Sequence, residues 1–287
     1  MQLENETQLP REILSIFQLI YGLKTVSIWR QHPELLIFGA LEKILKCIPD
    51  KSRIRYLIFP HTAPFVIQNH DSYLTRIKNH FQLKNIMAFE TCMYKCVSFF
   101  KILEMLPILL GNDEQALVVT GEVAFTPKLR VVPRSTLVGD AATATLFSLS
   151  GKNHQLLSVM NKIIVGYEKG IFLSEDQLRE FDGIFIQNMA SLIINAVEKA
   201  NISLTTISII LPHNVNIPTW KKISEALNFP LKKIYLNNIE KYGHCFCSDH
   251  LINLKSVLSE NRLKKGDYYV MAGCGFGFYL SAAVFQF

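Results

Sequence analysis

The sequence predicts an α/β protein in which sheets carry helices on their faces, and three observations lead there. Short β-branched and aliphatic runs alternate with segments of helical apolar spacing along most of the chain. Two of those runs are closed by proline, Arg55 to Phe59 by Pro60 and Thr205 to Leu211 by Pro212, as expected of buried strands. Composition agrees: 49% of the 287 residues are apolar and 19% are charged, enough to bury one large core or two moderate ones and too few charges for a disordered chain.

Taken in order, Pro10 to Tyr21 reads as a helix and Lys24 to Trp29 as a short apolar segment. Pro33 to Ile48 is helical, with Leu35, Leu36, Phe38, Leu41, Ile44 and Leu45 recurring at helical spacing. After the strand ending at Phe59, His70 to Phe81 is a helix and Leu83 to Phe89 a strand. Met93 to Leu106 continues as a helix that Pro107 interrupts. Ala116 to Thr120 and Thr143 to Ser148 are strands, and the polar stretch Gly151 to Gln155 marks a junction between two halves, 1–155 and 156–287. Ser174 to Lys199 forms one long helix with Phe181, Ile184, Phe185, Met189, Leu192, Ile193 and Val197 on a common stripe. Beyond Pro212, Pro218 to Leu227 is helical, Asn228 to Tyr235 is a turn leading to a strand, Leu251 to Leu258 is helical, and Tyr268 to Ala272 and Ser281 to Phe287 are strands.

No apolar run reaches the roughly 18 residues needed to span a bilayer, and Met1 to Glu12 lacks the apolar segment of a signal peptide, so a soluble cytoplasmic protein is expected. In that setting the six cysteines are expected to be free thiols. The formal net charge of +6 is spread over pairs such as Lys221-Lys222 and Lys232-Lys233, with no basic run to suggest nucleic acid. Such pairs suit a solvated face or an acidic partner.

Chemistry concentrates at strand ends. His213 follows the strand closed by Pro212, at the carboxyl edge where loops of α/β sheets converge over a crevice. Cys92 follows the strand ending at Phe89 and opens the next helical segment, where a helix N-terminus lowers a thiol pKa and makes a nucleophilic thiolate. Cys96, one turn later, is assigned a structural role. His244, Cys245, Cys247 and His250 raise the thought of zinc, but their spacing matches neither a Cys-x-x-Cys nor a His-x-x-x-His pattern, and no metal is expected.

Five motifs, in this order, resemble the β-ketoacyl-acyl carrier protein synthase III branch of the thiolase superfamily: Cys92, Gly139-Asp140-Ala141-Ala142, Pro212-His213-Asn214-Val215-Asn216, Tyr242-Gly243-His244, and Gly275-Phe276-Gly277. The resemblance runs from about Pro33 to the C-terminus. It implies a five-layered α/β/α/β/α fold of two similar halves, with long helices starting at Cys92 and near Met189 sandwiched between the sheets. It also implies an acyl-Cys92 intermediate, His213 as catalytic histidine, and backbone N–H groups of Cys92 and Gly277 as the oxyanion hole, with Met93, Tyr94 and Asn216 lining the substrate pocket. Three departures stand out. Met93 and Tyr94 replace the small residues that usually follow the cysteine, and the usual N-terminal strand and loop are missing or rewritten. His244 replaces an asparagine and is followed by Asp249, a context similar to acyltransferase offshoots of specialised metabolism with a proposed Cys–His–Asp set.

The implied function is acyl transfer from an acyl carrier protein or CoA thioester to an acceptor, with no cofactor beyond the phosphopantetheine-linked substrate. If His244 faces His213, two imidazoles suit carbon–carbon condensation; if Asp249 holds His213, the imidazole becomes a base for a heteroatom acceptor. Lys128, Arg130, Arg134, Lys221 and Lys222 are candidates for docking the acidic carrier. A homodimer is expected, with a heterodimer alongside a homologous synthase as the alternative, including the case of a non-catalytic subunit.

Overall fold

In a computed structural model, which describes residues 2–62, 73–170, 173–275 and 278–287, the chain folds into two mixed sheets with three layers of helices. The helices are α1 (Gln2–Thr7), α2 (Arg11–Leu19), α3 (Pro33–Cys47), α4 (Tyr73–His80), α5 (Ser98–Leu109), α6 (Pro127–Arg130), α7 (Glu175–Lys199), α8 (Ile217–Leu227), α9 (Asn237–Tyr242) and α10 (Asp249–Ser259). The strands are β1 (Ile54–Pro60), β2 (Met87–Thr91), β3 (Gln115–Glu122), β4 (Val131–Val132), β5 (Thr136–Leu137), β6 (Ala141–Ser148), β7 (Gln155–Ile163), β8 (Ile207–Pro212), β9 (Tyr268–Gly275) and β10 (Tyr279–Gln286). One sheet runs β2-β1-β3-β6, the other β7-β10-β9-β8, and β4 and β5 form a small hairpin. In the first, β1 is parallel to β2 and β3 while β6 is antiparallel; in the second, β8 and β9 are parallel and β10 is antiparallel to both its neighbours.

The layering follows from the two-residue period of a strand. Along β3, Leu117 and Val119 pack with α3 and α4 on one side, while Ala116 and Val118 pack with α5 on the other. Along β9, Tyr269 and Met271 join that same middle core, and Val270 and Ala272 join the core under α7 and α8. Strands buried on both faces read as continuous apolar runs, which is why these segments stand out in the sequence. The result is α/β/α/β/α, as expected, but the middle layer differs in membership. It is made of α5 and α10, whereas α7, which carries Met189, covers the outer face of the second sheet. A Ser174 capping box starts α7, and its Phe181, Phe185, Met189 and Ile193 stripe faces that sheet.

Other boundaries also move. The helix assigned from Met93 begins at Ser98, because the chain first makes a tight turn with Lys95 at φ 55°. Pro107 lies inside the last turn of α5 without ending it. Helix α4 begins at Tyr73 among the described residues, so the start placed at His70 lies outside them. No strand forms at 228–235, only a single bridge from Ile234 to Ile210, while β7 appears where none is assigned. Leu14, Phe17 and Leu23 pack into the core of the second sheet, so the first residues of the chain belong to that core and not to the first half. Among the described residues no helix is long and apolar enough to cross a membrane.

The two halves meet through backbone. Leu137 to Gly139 runs beside His244, with His244 N–H donating to the Leu137 carbonyl at 3.0 Å and Gly139 N–H to the His244 carbonyl at 2.9 Å. Segment 24–29 straps this junction, Ser27 N–H donating to the Tyr242 carbonyl and accepting from Asp140 N–H at its own carbonyl. Such close pairing needs glycine at 139, where a Cβ would fall 2.0 Å from the Tyr242 carbonyl oxygen. Gly139→Ala should therefore lower the unfolding free energy by about 1–3 kcal/mol, as overpacking does. Urea denaturation checks this, and an unchanged midpoint would show that the junction can spread.

Candidate active site

At the carboxyl end of β8 the chain turns through His213, whose N–H donates to the Ala272 carbonyl at 3.0 Å and whose carbonyl accepts from Trp220 Nε1 at 3.0 Å. Asn253 donates to the Pro212 carbonyl at 2.8 Å and to Asn214 Oδ1 at 2.9 Å, and in turn accepts from Asn238. This buried amide chain satisfies polar groups that would otherwise be costly. It holds the β8 end against α10.

Asp249, the first residue of α10 and fully buried, gathers three donors. Its Oδ2 lies 2.6 Å from His244 Nδ1 and accepts from Asn214 N–H at 2.6 Å, while Oδ1 accepts from Cys245 N–H at 2.6 Å. Asp249 thus holds His244 and not His213. The two imidazoles stand edge to face with centroids 6.2 Å apart. Burial works against charge on His244, but the Asp249 carboxylate and the Cys96 sulfur, each also hydrogen-bonded to it, raise its pKa well above the ordinary value. His213 moves the other way, held well below the ordinary range by burial and by the neighbouring His244 and His250. One pocket therefore contains an imidazole that favours its proton and one that stays neutral.

The geometry brings Cys96, and not Cys92, to the two histidines. Cys96, His213, His244, Asn216, Cys274 and Gly275 line a single pocket; Cys92 does not. Cys92 and Tyr94 are half-buried and Met93 is 73% exposed, and neither Met93 nor Tyr94 lines the pocket. Tyr94 instead packs on Tyr279, with centroids 4.9 Å apart. The cause is the left-handed Lys95, a conformation that is uncommon and costly for a residue with a side chain. It reverses the chain so that Cys96 faces inward while the preceding residues face out. The turn presses on the second sheet, since a Cβ on Gly275 would lie 2.3 Å from the Tyr94 carbonyl oxygen. The sequence held a clue: Val97 and Ser98 after Cys96 are smaller than Met93 and Tyr94 after Cys92. Gly277 lies outside the described residues; Gly275 is the glycine beside Cys96.

Asn216 lies in the pocket wall, where it caps α8 by accepting from Thr219 N–H at 2.8 Å and donates to the Ser135 carbonyl at 3.1 Å. Above it Val132 to Thr136, Phe181, Phe185 and Phe278 form the wall, and exposed Arg134 and Asp182 pair across the mouth at 3.6 Å. Among the suggested docking cations, Lys128, Lys221 and Lys222 are exposed. Arg130 is not available: it is 3% exposed and forked onto Asp140 at 2.6 and 3.1 Å, and Asp140 also accepts from Trp29 and Ala124 N–H groups. The His-Cys cluster does not converge. Cys245 faces Ser27, Cys247 Sγ donates to the Lys95 carbonyl, and His250 bonds the Ala272 carbonyl. All six cysteines are free thiols. Two further buried groups that sequence reasoning missed are Thr62, just beyond β1, whose hydroxyl reaches Cys96 Sγ, and Glu122 at the end of β3, which bonds Thr62.

Two sheets between three layers of helices make a thiolase-like five-layered fold. Residues 197–287 match the family model for 3-oxoacyl-[acyl-carrier-protein (ACP)] synthase III, C terminal. The β-ketoacyl-[acyl-carrier-protein] synthase III of Clostridioides difficile is 35% identical over 99 residues, 34% of this chain and 30% of that one. That of Campylobacter jejuni subsp. jejuni is 25% identical over 228 residues, 74% of this chain and 69% of that one. The match to the first of these thus spans under a third of that relative's length. The solved structure of ChlB3, titled an acyltransferase, superposes with TM-score 0.85 at 18% identity, covering 99% of this chain and 92% of that one. The chain is thus similar to β-ketoacyl-acyl carrier protein synthase III proteins, through a family model over its last 91 residues and through the fold over nearly its whole length.

Burial holds His250 neutral down to about 4, against the Asp249 carboxylate and the Ala272 carbonyl, which favour its proton. Its unfolded imidazole protonates near 6.5. Because the folded value is the lower one, stability present above pH 6.5 is lost as pH falls toward 4, by on the order of 3 kcal/mol from this residue. His250→Gln should flatten that acid slope in urea titrations; a slope unchanged by the substitution would assign it to His213 alone.

Proposed function

We propose that the protein is an acyltransferase that works through an acyl-Cys96 intermediate, taking the acyl group from an acyl carrier protein or CoA thioester and passing it to a heteroatom acceptor. The observation that carries this reading is His244 set between the Cys96 sulfur and the Asp249 carboxylate at one pocket. With Nδ1 bound to Asp249, the ring's other nitrogen serves the sulfur, as expected for a nucleophile, base and orienting carboxylate.

The Cys96 thiolate attacks the thioester carbonyl, the carbon–sulfur bond to the phosphopantetheine arm breaks, and the departing sulfur takes the proton from His244. Neutral His244 then removes the proton of an alcohol, amine or thiol acceptor, which attacks the acyl-sulfur carbon and releases the Cys96 thiolate. Backbone N–H groups of Cys96 and Gly275 are the oxyanion donors in this scheme, a contribution typically worth about 3 kcal/mol per donor. Gly275 has no side chain, which lets the 94–95 turn that carries Cys96 pack directly on it. Neutral His213, on the opposite wall, orients the acceptor.

His244 does face His213, the arrangement that suits condensation, but its Nδ1 is taken by Asp249, and we read that carboxylate-held imidazole as an acid–base relay for transfer. The same ordered set of Cys96, His244 and Asp249 speaks against a non-catalytic subunit. The phosphopantetheine arm would enter past Arg134 and Asp182, with exposed Lys128, Lys221 and Lys222 nearest the carrier.

Incubation with an acyl thioester should add one acyl mass to the peptide carrying Cys96. Cys96→Ala should abolish it and Cys92→Ala should leave it intact. Asp249→Asn should allow acylation but slow transfer to the acceptor by roughly 10²–10⁴, the range for a lost general base. Label on Cys92 or Cys274 would sink the assignment. Malonyl thioester decarboxylation that survives Asp249→Asn would favour condensation.

A further inference from the structure

The scheme above leaves one buried acid unused. Glu122 ends β3 at 3% exposed, beneath the nucleophile, and Thr62 lies between them. Thr62 N–H donates to Glu122 Oε1 at 2.8 Å, and Thr62 Oγ1 lies 3.0 Å from Glu122 Oε2 and 3.6 Å from Cys96 Sγ. Cys247 Sγ is the next neighbour of that hydroxyl, at 3.9 Å. A hydroxyl carries a single proton, and an ionised carboxylate can only accept. So the Thr62 proton cannot serve the Glu122 carboxylate and the Cys96 sulfur at once.

We propose that Glu122 is a positioning residue for the nucleophile, its protonation state deciding whether Thr62 donates to the Cys96 sulfur. With Glu122 protonated, the carboxyl donates to the Thr62 oxygen and the Thr62 proton turns to the sulfur, where it stabilises the thiolate. With Glu122 ionised, the carboxylate takes the Thr62 proton and the sulfur loses a donor. The inference rests on Cys96 being the nucleophile. The groups that face Glu122 are Thr62 beyond β1, Cys247 from the 246–248 turn, and His244 from the loop before it, with Cys96 reached through Thr62. Burial pushes the carboxyl up to about 7, against the Thr62 and Cys247 hydrogen bonds and the charge of His244, so both states are populated near neutrality.

The test is the pH dependence of Cys96 alkylation by iodoacetamide in the whole protein, read by mass spectrometry of the Cys96 peptide with no acyl donor present. Glu122→Gln keeps a donor on Thr62 at every pH. It should lower the apparent Cys96 thiol pKa by about one unit, a tenfold change in ionisation. Thr62→Val should cancel that shift, and Thr62→Ser should restore it. The unmutated protein offers a second readout independent of any folding defect: its profile should carry an extra inflection near neutrality, absent from Glu122→Gln. A shift of equal size with and without Thr62→Val would mean that Glu122 acts by charge alone and would overturn the proposal. No shift and no extra inflection would overturn it as well. Failure of thioester labelling at Cys96 with a normal alkylation profile would instead strike the acyltransferase reading.

Discussion

The site depends on one carboxylate. Asp249 joins three chain segments at one point: the β8 end through Asn214, the 243–245 loop through His244 and Cys245, and α10, whose first residue it is. Three donors around a fully buried carboxylate offset the cost of removing its charge from water. Removing any one would leave the others around an undersatisfied charge. The position is therefore more constrained than its place in a Cys- and His-rich run suggests. It also explains why His244 and His213, neighbours in space, diverge in charge: one touches the carboxylate and the other does not.

The strands were legible because those buried on both faces advertise themselves as apolar runs, and the capping box and stripe of α7 are local signals; the five layers came only from the family resemblance. What could not be read was which helices go between the sheets. Both α5 and α7 are apolar on the face they bury; their layer depends on crossovers between strands, which no local window contains. Strand β7 escaped notice because Ser158, Asn161 and Lys162 blur its alternation.

Most of the residues singled out in the sequence come together in the structure, with the cysteine beside them one turn further on. His213, His244, Asp249 and Asn216 meet the structure where strand ends and loops had to bring them. Sequence reasoning chose Cys92 because a strand-to-helix turn was assumed to open at its first cysteine, whereas Cys96 is the one that lines the pocket. A lysine in left-handed conformation carries no sequence mark, unlike a glycine there. Arg130 misled for the opposite reason: a cation in a polar loop looks like surface until its carboxylate partner, Asp140, is seen beneath it.

The charges in the pocket are also linked by a shared shortage of donors. The Cys96 sulfur has His244 on one side and Thr62 on the other, and Thr62 must choose between sulfur and Glu122. On the reading that Cys96 carries the acyl group, acylation turns the sulfur from an anion into a thioester, a far weaker acceptor. The Thr62 proton then belongs to Glu122, which favours the ionised carboxylate. Acylation thus favours the ionised state of Glu122, and a free thiolate its protonated state. In a low-dielectric interior, where two such charges side by side would be costly, this keeps the site from holding both at once.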